Sequence, residues 1–490
     1  MRPNVVFITL DQFRGDALSC AGHPVVRTPH LDALAAEGVR FARHYSQATP
    51  CAPGRAALYT GTYQMNNRVV ANGTPLDARF DNVALVARRA GYAPAMFGYT
   101  DQSIDPRLVT DPADPRLSDY EGVLPGFDCA LDLSKGHEPW LGWLRANGHE
   151  LPADVHVADV LASEPDRPAE HSVAAFLTGE ALRWIGQRTE PWFVHLSYLR
   201  PHPPYAAAGE WAHRYDPATV DLPISPSDQR HPWHEVVLRI EEAAAPTEEA
   251  ALRRIRAQYY GMIGEVDHQL GRLWQGLRDL GVWDDTVVVV TADHGEMLGD
   301  HGLVQKLGYW EASYHIPCIV RDPRHPATAG RVVDRFTENV DVLPTLCDAI
   351  GAPVPLQCDG LPLTPFLLGD DPPHWRDAAH WEFDWRSILI RVGLGEWPRD
   401  RRAERLHLTV LRTASHAYVQ FGDGSWRCFD LAADPTWRTA VEDPAVVLPL
   451  AQAMLVWRSV HAERTLADML LEDGGIGRRP PGAPGALRPD

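Results

Sequence analysis

Three short segments of this 490-residue chain carry residue types that can do chemistry together. Asp11-Gln12 and Asp293-His294 each follow an apolar, β-branched run, Asn4 to Leu10 and Thr286 to Ala292. Carboxylates suit a hard or borderline divalent ion, and an adjoining imidazole is tolerated by manganese, iron or zinc more readily than by calcium. Asp11, Asp293 and His294 are therefore candidate metal ligands. Gln12 offers a weaker amide oxygen, or else orients Asp11. Taken singly, each aspartate also fits a turn or a helix cap. The third segment is Cys51-Ala-Pro-Gly-Arg55. Pro53 suits the first turn of a helix, which would bring the positive helix end and Arg55 beside a developing negative charge. In isolation Cys51 reads more readily as a buried, unreactive thiol.

Two further residues stand out by context. Only two of the 46 Lys and Arg residues are lysines, Lys135 and Lys306. A compact ammonium such as that of Lys306 suits a non-bridging oxygen as a point charge, although a solvated surface lysine has the same sequence signature. His202 lies in Arg200-Pro-His-Pro-Pro204, a stiff loop behind the strand predicted over Pro191 to Leu196. As imidazolium it could donate a proton to a departing alkoxide or aryloxide.

These residues need a scaffold that gathers distant segments. Asn4 to Leu10 and Thr286 to Ala292 read as strands buried on both faces, since they are continuous apolar runs bounded by polar residues. Helical periodicity covers Thr28 to Glu37, Asn82 to Ala90, Ser172 to Arg188 and Glu248 to Leu280. Strands alternating with helices imply an α/β fold, a large and mostly parallel sheet sandwiched by helices, with ligands at the carboxyl ends of its strands. Tyr205 to Ala245 shows no clear period and reads as long loops near the site or an interface. After about residue 375 the pattern changes to short strands at His380 to Trp385, Leu406 to Arg412, His416 to Phe421 and Arg427 to Asp430. Asp423-Gly424 is a hairpin signal, and a helix follows around Ala445 to His461. The chain thus divides into a catalytic α/β domain (1–374), a smaller antiparallel-sheet α+β subdomain (375–473) and an extended or disordered Gly, Pro and Arg-rich tail (474–490).

Composition narrows the function. A formal charge of −19 disfavours nucleic acid and anionic membranes as partners, so a small anionic substrate would need a local positive site such as a metal. The first apolar run, Val5 to Leu10, is too short for a secretory leader and no later stretch reaches membrane-spanning length, which makes the cytoplasm the expected location. The seven cysteines show no paired short spacing, so no disulfide framework is expected.

Cys51-Ala-Pro-Gly-Arg55 followed by Leu58-Tyr-Thr-Gly61 resembles the sulfatase signature, in which the cysteine is oxidised to formylglycine. The resemblance extends along nearly the whole chain and is closest to the phosphonate monoester hydrolase and phosphodiesterase branch of the alkaline phosphatase superfamily. Asp11-Gln12, Met65-Asn-Asn-Arg68, Asn72, Pro75-Leu-Asp77, Gly98-Tyr-Thr100, Arg200 to Pro204, Asp293 to His301, Lys306 and His380 to Trp385 fall in the order that branch shows. It implies that Asp11, Gln12, Asp293, His294 and the modified Cys51 hold one divalent metal, manganese before calcium, iron or zinc. It implies that Asn72, Tyr99, His202 and Lys306 contact the transferred group and the leaving oxygen, with Thr100 and Asp101 beside them. Asp101 departs from the pattern, since a second threonine is expected there. A carboxylate beside an anionic substrate costs binding unless it meets the metal, Lys306 or a cationic group on the substrate.

The function implied is hydrolysis of phosphonate monoesters or phosphodiesters by the geminal diol of formylglycine. The same parts would serve an arylsulfatase or alkyl sulfatase. A phosphoethanolamine-type transferase would be expected to carry Thr or Ser in place of Cys51, and a silent binding protein would not need a full ligand set. A maturing enzyme that oxidises Cys51, and assembly into a homodimer or homotetramer, are further implications of the resemblance.

Overall fold

The computed structural model describes residues 2–134, 136–227, 229–386, 405–462, 469–472 and 475–478, the last two spans by their backbone alone. Lys135 lies outside them. The central sheet has eight strands: β1 (Asn4–Leu10), β2 (Val39–Tyr45), β3 (Ala95–Gly98), β4 (Asp128–Asp132), β5 (Phe193–Tyr198), β6 (Thr286–Ala292), β7 (Cys318–Arg321) and β8 (Arg331–Glu338). Their spatial order is β4-β3-β5-β1-β6-β7-β2-β8. Every pairing is parallel except those of β7, which runs against both β6 and β2.

The central strands are apolar throughout because both faces of the sheet are covered. Val6, Ile8, Leu10, Val288 and Val290 pack into one core with the helices Pro29–Glu37, Val173–Ile185 and Glu249–Asp279. Val5, Phe7, Val287 and Val289 face the opposite core, with the helices Cys51–Thr60, Val83–Arg89 and Val342–Ile350. β1 lies between β5 and β6, with Leu10 opposite both Tyr198 and Ala292. That register brings Asp11, Asp293 and the loop after Tyr198 to one edge.

The second sheet is antiparallel, β12-β11-β10-β9, built from β9 (Ala378–Asp384), β10 (His407–Thr413), β11 (His416–Phe421) and β12 (Trp426–Asp430). One face receives Val447 and Met454 of the Pro444–Val460 helix. The other buries Trp381, Phe383, Val410 and Val419 against Tyr45, Tyr309, Trp310, Tyr314 and Phe336 of the main body. Trp381 stacks on Tyr45 and Tyr314 at centroid distances of 5.6 and 4.9 Å, and its indole donates to the Tyr309 carbonyl at 3.2 Å. The antiparallel sheet therefore supports the loop that carries Lys306. The stretch read as loops between Tyr205 and Ala245 also contains a short helix, Pro232–Val237. At the start of the stretch expected to be an extended or disordered tail, β14 (Gly475–Arg478) pairs antiparallel with β13 (Met469–Glu472). Residues 479–490 lie outside the described residues.

Because Trp381 joins the two sheets, Trp381→Ala is expected to destabilise the protein by about 3–5 kcal/mol. Calorimetry should show one lowered transition if the two sheets unfold as a unit, and two separated transitions if they do not.

Candidate active site

The carboxyl edge of β1 and β6 is where charge accumulates in a dry environment. Asp11 and Asp293 are buried and follow paired strand ends. Asp293 is held by three hydrogen bonds: its Oδ1 accepts the backbone N–H groups of Gln12 and His294, at 3.1 and 2.9 Å, and its Oδ2 accepts Arg55 Nε at 2.9 Å. Asp11 Oδ2 accepts Arg55 Nη2 at 3.0 Å and the Tyr99 hydroxyl at 2.8 Å. Its Oδ1 is left facing the Cys51 Sγ, 3.9 Å away, and the His294 Nε2, 3.8 Å away. His294 donates from Nδ1 to the Gly295 carbonyl at 3.1 Å, which fixes the tautomer with an unprotonated Nε2. The Cys51 thiol lies 3.3 Å from that nitrogen.

Asp11, Cys51, Asp293 and His294 thus bring their ligand atoms within 4.8 Å of one another. Two carboxylates, an imidazole lone pair and the Cys51 side chain form a donor set that fits a divalent ion. Gln12 is part of the same edge: its backbone is left-handed, its amide oxygen accepts Lys306 Nζ at 2.6 Å, and its amide nitrogen donates to Glu296.

Cys51 opens the helix Cys51–Thr60, with Pro53 in its first turn as the sequence predicts. Gly54 lets that helix approach the strand end: a Cβ there would stand 2.5 Å from the Asp293 carbonyl oxygen. Arg55 does not face a reacting group. Its guanidinium spans Asp293 and Asp11, and its remaining Nη1 donates to Ser197 Oγ, the Tyr99 carbonyl and the Tyr59 hydroxyl at 2.8, 3.1 and 3.2 Å. It neutralises the carboxylates from behind. Tyr99 is likewise committed to Asp11. The Thr100 hydroxyl is spent on the Gly122 carbonyl and the Leu124 N–H, both at 2.8 Å, so it braces a loop instead of contacting a substrate. Asn72 Oδ1 accepts the Ala52 N–H at 3.0 Å and caps the Cys51 helix, while the residue remains exposed. Asp101 is 6% exposed beside this cluster, its Oδ2 3.5 Å from Arg55 Nε.

The charges work against one another. Burial and the adjacent Asp11 push the Asp293 carboxyl up to about 7. Burial, then Asp11, raise the Cys51 thiol well above its ordinary range. Lys306 is buried, but Cys51, Asp11 and Asp293 outweigh that burial and keep it an ammonium. His202 donates to the Pro203 carbonyl, with Nδ1 at 2.7 Å, and burial together with Lys306 brings its pKa down to about 3. The resting imidazole is therefore neutral, whereas the sequence suggests imidazolium. Arg200 anchors this loop: buried and paired with Glu164, it donates to the His202 and Pro204 carbonyls at 2.9 and 3.1 Å. Sequence reasoning assigned nothing to Glu296, Ser197 or Glu164. Glu296 carried a signal, since it lies within Asp293-His-Gly-Glu296; the others carried none.

This arrangement is that of a metal-dependent hydrolase. The chain belongs to the sulfatase family, whose model matches residues 3–352, within the alkaline phosphatase superfamily. A second model, the C-terminal region of N-sulphoglucosamine sulphohydrolase, matches residues 299–455. The crystal structure of a phosphonate monoester hydrolase from Agrobacterium radiobacter is similar at a TM-score of 0.89 and 42% identity, covering 98% of this chain and 100% of that one. The phosphonate monoester hydrolase SpPMH from Silicibacter pomeroyi follows at 0.87 and 35% identity, over 98% and 99% of the two chains. The multifunctional alkaline phosphatase superfamily protein PehA of Trinickia caryophylli is 35% identical, over 98% of this chain and 99% of its own.

Because Tyr99 orients a candidate ligand, Tyr99→Phe is expected to weaken divalent-metal affinity by about 10- to 100-fold in a calorimetric titration. In the unaltered protein the proton held near Asp293 must leave when a metal binds, so affinity should be low below pH 7 and rise above it. A pH-independent affinity would contradict the shared-proton picture.

Proposed function

We propose that this enzyme hydrolyses phosphonate monoesters and phosphodiesters, with Cys51 oxidised to formylglycine as the source of the nucleophile. The observation that carries this reading is the position of Cys51: it heads a helix inside a metal-ligand set, yet burial and the carboxylates of Asp11, Asp293 and Asp101 oppose its ionisation. A thiol so placed is a poor nucleophile, and oxidation to an aldehyde removes the difficulty. Hydrated formylglycine supplies two oxygens on one carbon, one to attack phosphorus and one whose later collapse to the aldehyde expels the product without a second attack there. A divalent ion, manganese before calcium, iron or zinc, would be held by Asp11, Gln12, residue 51, Asp293 and His294 and would supply Lewis-acid polarisation of the ester.

The remaining residues have separate duties in this reading. Arg55 aligns Asp11 and Asp293, and Tyr99 aligns Asp11. Lys306 offers its ammonium to a non-bridging oxygen, held at the right depth by Gln12. His202 is neutral at rest, and the negative charge of an arriving ester favours its protonation, so that the ring donates to the departing alkoxide. Asn72 tethers the helix end and offers its amide NH₂ to the transferred group. The alternative, a sulfuric ester hydrolase, uses the same parts, and the sulfatase and sulphohydrolase matches favour keeping it in view.

The reading extends to a maturing enzyme acting on Cys51 and to a homodimer or homotetramer. The outer face of the Pro444–Val460 helix, with Leu448, Leu455, Val456 and Val460 exposed, is consistent with assembly. Among the described residues no helix is long and apolar enough to cross a membrane. A cytoplasmic setting agrees with seven unbridged cysteines.

Matured, metal-loaded enzyme should show a higher kcat/KM for a 4-nitrophenyl phosphonate or phosphodiester than for 4-nitrophenyl sulfate; the reverse order would make it a sulfatase. His202→Ala should slow esters with alkyl leaving groups by about 10²- to 10⁴-fold and 4-nitrophenyl esters much less. Equal losses on both would remove His202 from proton transfer.

A further inference from the structure

Gln12 sits between a group that can only donate and a group that must accept. The Lys306 ammonium has hydrogens and no lone pair, so the atom of Gln12 that meets Nζ at 2.6 Å has to be the amide oxygen. The amide NH₂ is thereby turned the other way, onto Glu296 Oε2, which accepts from it. This chemistry decides the orientation of an amide whose shape alone would not. All three residues are buried, Gln12 and Glu296 completely. A reversed amide would set NH₂ against ammonium and oxygen against carboxylate, and away from water such a mismatch is costly.

The second oxygen of Glu296 is also engaged. Its Oε1 accepts the backbone N–H groups of Leu298 and Gln305 at 2.7 and 2.6 Å. Both donors lie in left-handed conformations, with φ of 50° and 67°. The Met297 N–H crosses to the Gln305 carbonyl at 2.6 Å and closes the turn around the carboxylate. Gln305 immediately precedes Lys306. One carboxylate thus holds Lys306 twice, through the backbone of the residue before it and through the amide that its ammonium meets. The Gln12 N–H in turn donates to Asp293 Oδ1 at 3.1 Å, which joins this chain of contacts to the strand end of β6.

We infer that Glu296 is a positioning residue: it fixes the Gln12 amide so that an oxygen, and not an NH₂, is presented on the side of Lys306, and it sets the position of Lys306 by the same contacts. This rests on the reading above, in which Gln12 belongs to the metal site and Lys306 meets the ester. An inverted amide would offer a cation no lone pair and would displace the ammonium.

The test exchanges the polarity of the pair in the full-length protein and reads Mn²⁺ affinity by calorimetric titration with the metal alone. Glu296→Gln keeps the shape of residue 296 and an oxygen for Leu298 and Gln305, but its NH₂ then confronts the NH₂ of Gln12. The Gln12 amide must turn over to relieve that clash. In the double variant, Gln12→Glu with Glu296→Gln, a carboxylate at position 12 accepts from both Lys306 and the new NH₂, so the complementarity returns. Glu296→Gln should therefore weaken Mn²⁺ binding by roughly 10- to 100-fold when residue 12 is Gln, and by less than about threefold when it is Glu. Loss of a nearby negative charge, or a general loosening of the loop, would lower affinity by the same factor in both backgrounds. Equal factors overturn the inference, and so does an unchanged affinity of Glu296→Gln alone. Melting curves accompany each titration. If Glu296→Gln alone does not fold, recovery of folding in the double variant supports the same complementarity, whereas failure of both makes Glu296 structural and overturns it. Gln12→Ala tests the underlying reading separately: an unchanged Mn²⁺ affinity there removes Gln12 from the metal site, and the inference falls with that assignment.

Discussion

Two carboxylates buried at neighbouring strand ends repel each other, and most of this site can be understood as the means of tolerating them. Asp11 and Asp293 are fixed in register by the β1 and β6 pairing, so they cannot move apart. Arg55 bridges both from the helix side, and Tyr99, two backbone N–H groups and Ser197 complete the support. The motif around Cys51 is thereby given a second meaning. Its cysteine and its arginine lie on one helical turn, so the residue that faces the cluster and the residue that neutralises it are positioned by the same element. Gly54 between them permits the close approach.

The surrounding layers follow from that constraint. A donor set held this rigidly needs no reorganisation when an ion arrives, which is the preorganisation on which electrostatic catalysis depends. Lys306 comes from a loop whose far side is packed under Trp381, so the antiparallel sheet contributes to the site through a shared aromatic core. His202 comes from a proline-rich loop tied down by the buried Arg200 and Glu164 pair. The site is assembled from loops, but each loop has a rigid anchor of its own.

Much of this was legible in the sequence for a physical reason: strands buried on both faces leave uninterrupted apolar runs, and the residue after each run must lie at the strand end. Asp11, Asp293 and His294 were found in that way, and Pro53 announced the helix that begins at Cys51. The strands after residue 375 and the helix behind them were equally plain from their alternation. Side-chain direction was not legible. Arg55 appeared suited to a reacting oxygen, yet it serves carboxylates 44 and 238 positions away; Thr100 braces a loop; His202 is neutral because of burial and a lysine distant in sequence. The antiparallel course of β7 also left no trace, since four residues carry no directional signal. Local pattern reveals which elements exist, whereas the partner of each polar group depends on long-range register.

The central claim is that the reactive group at position 51 is an aldehyde rather than a thiol. It is tested most directly by peptide mass spectrometry across residue 51, on protein co-produced with a formylglycine-generating enzyme, with a hydrazide label and a thiol-alkylation control, read beside the activity of the same preparation. Hydrazide labelling at residue 51 in proportion to activity is the expected result. Full alkylation of Cys51 as a thiol in a preparation of undiminished, metal-dependent activity would contradict the account and require a nucleophile of a different kind.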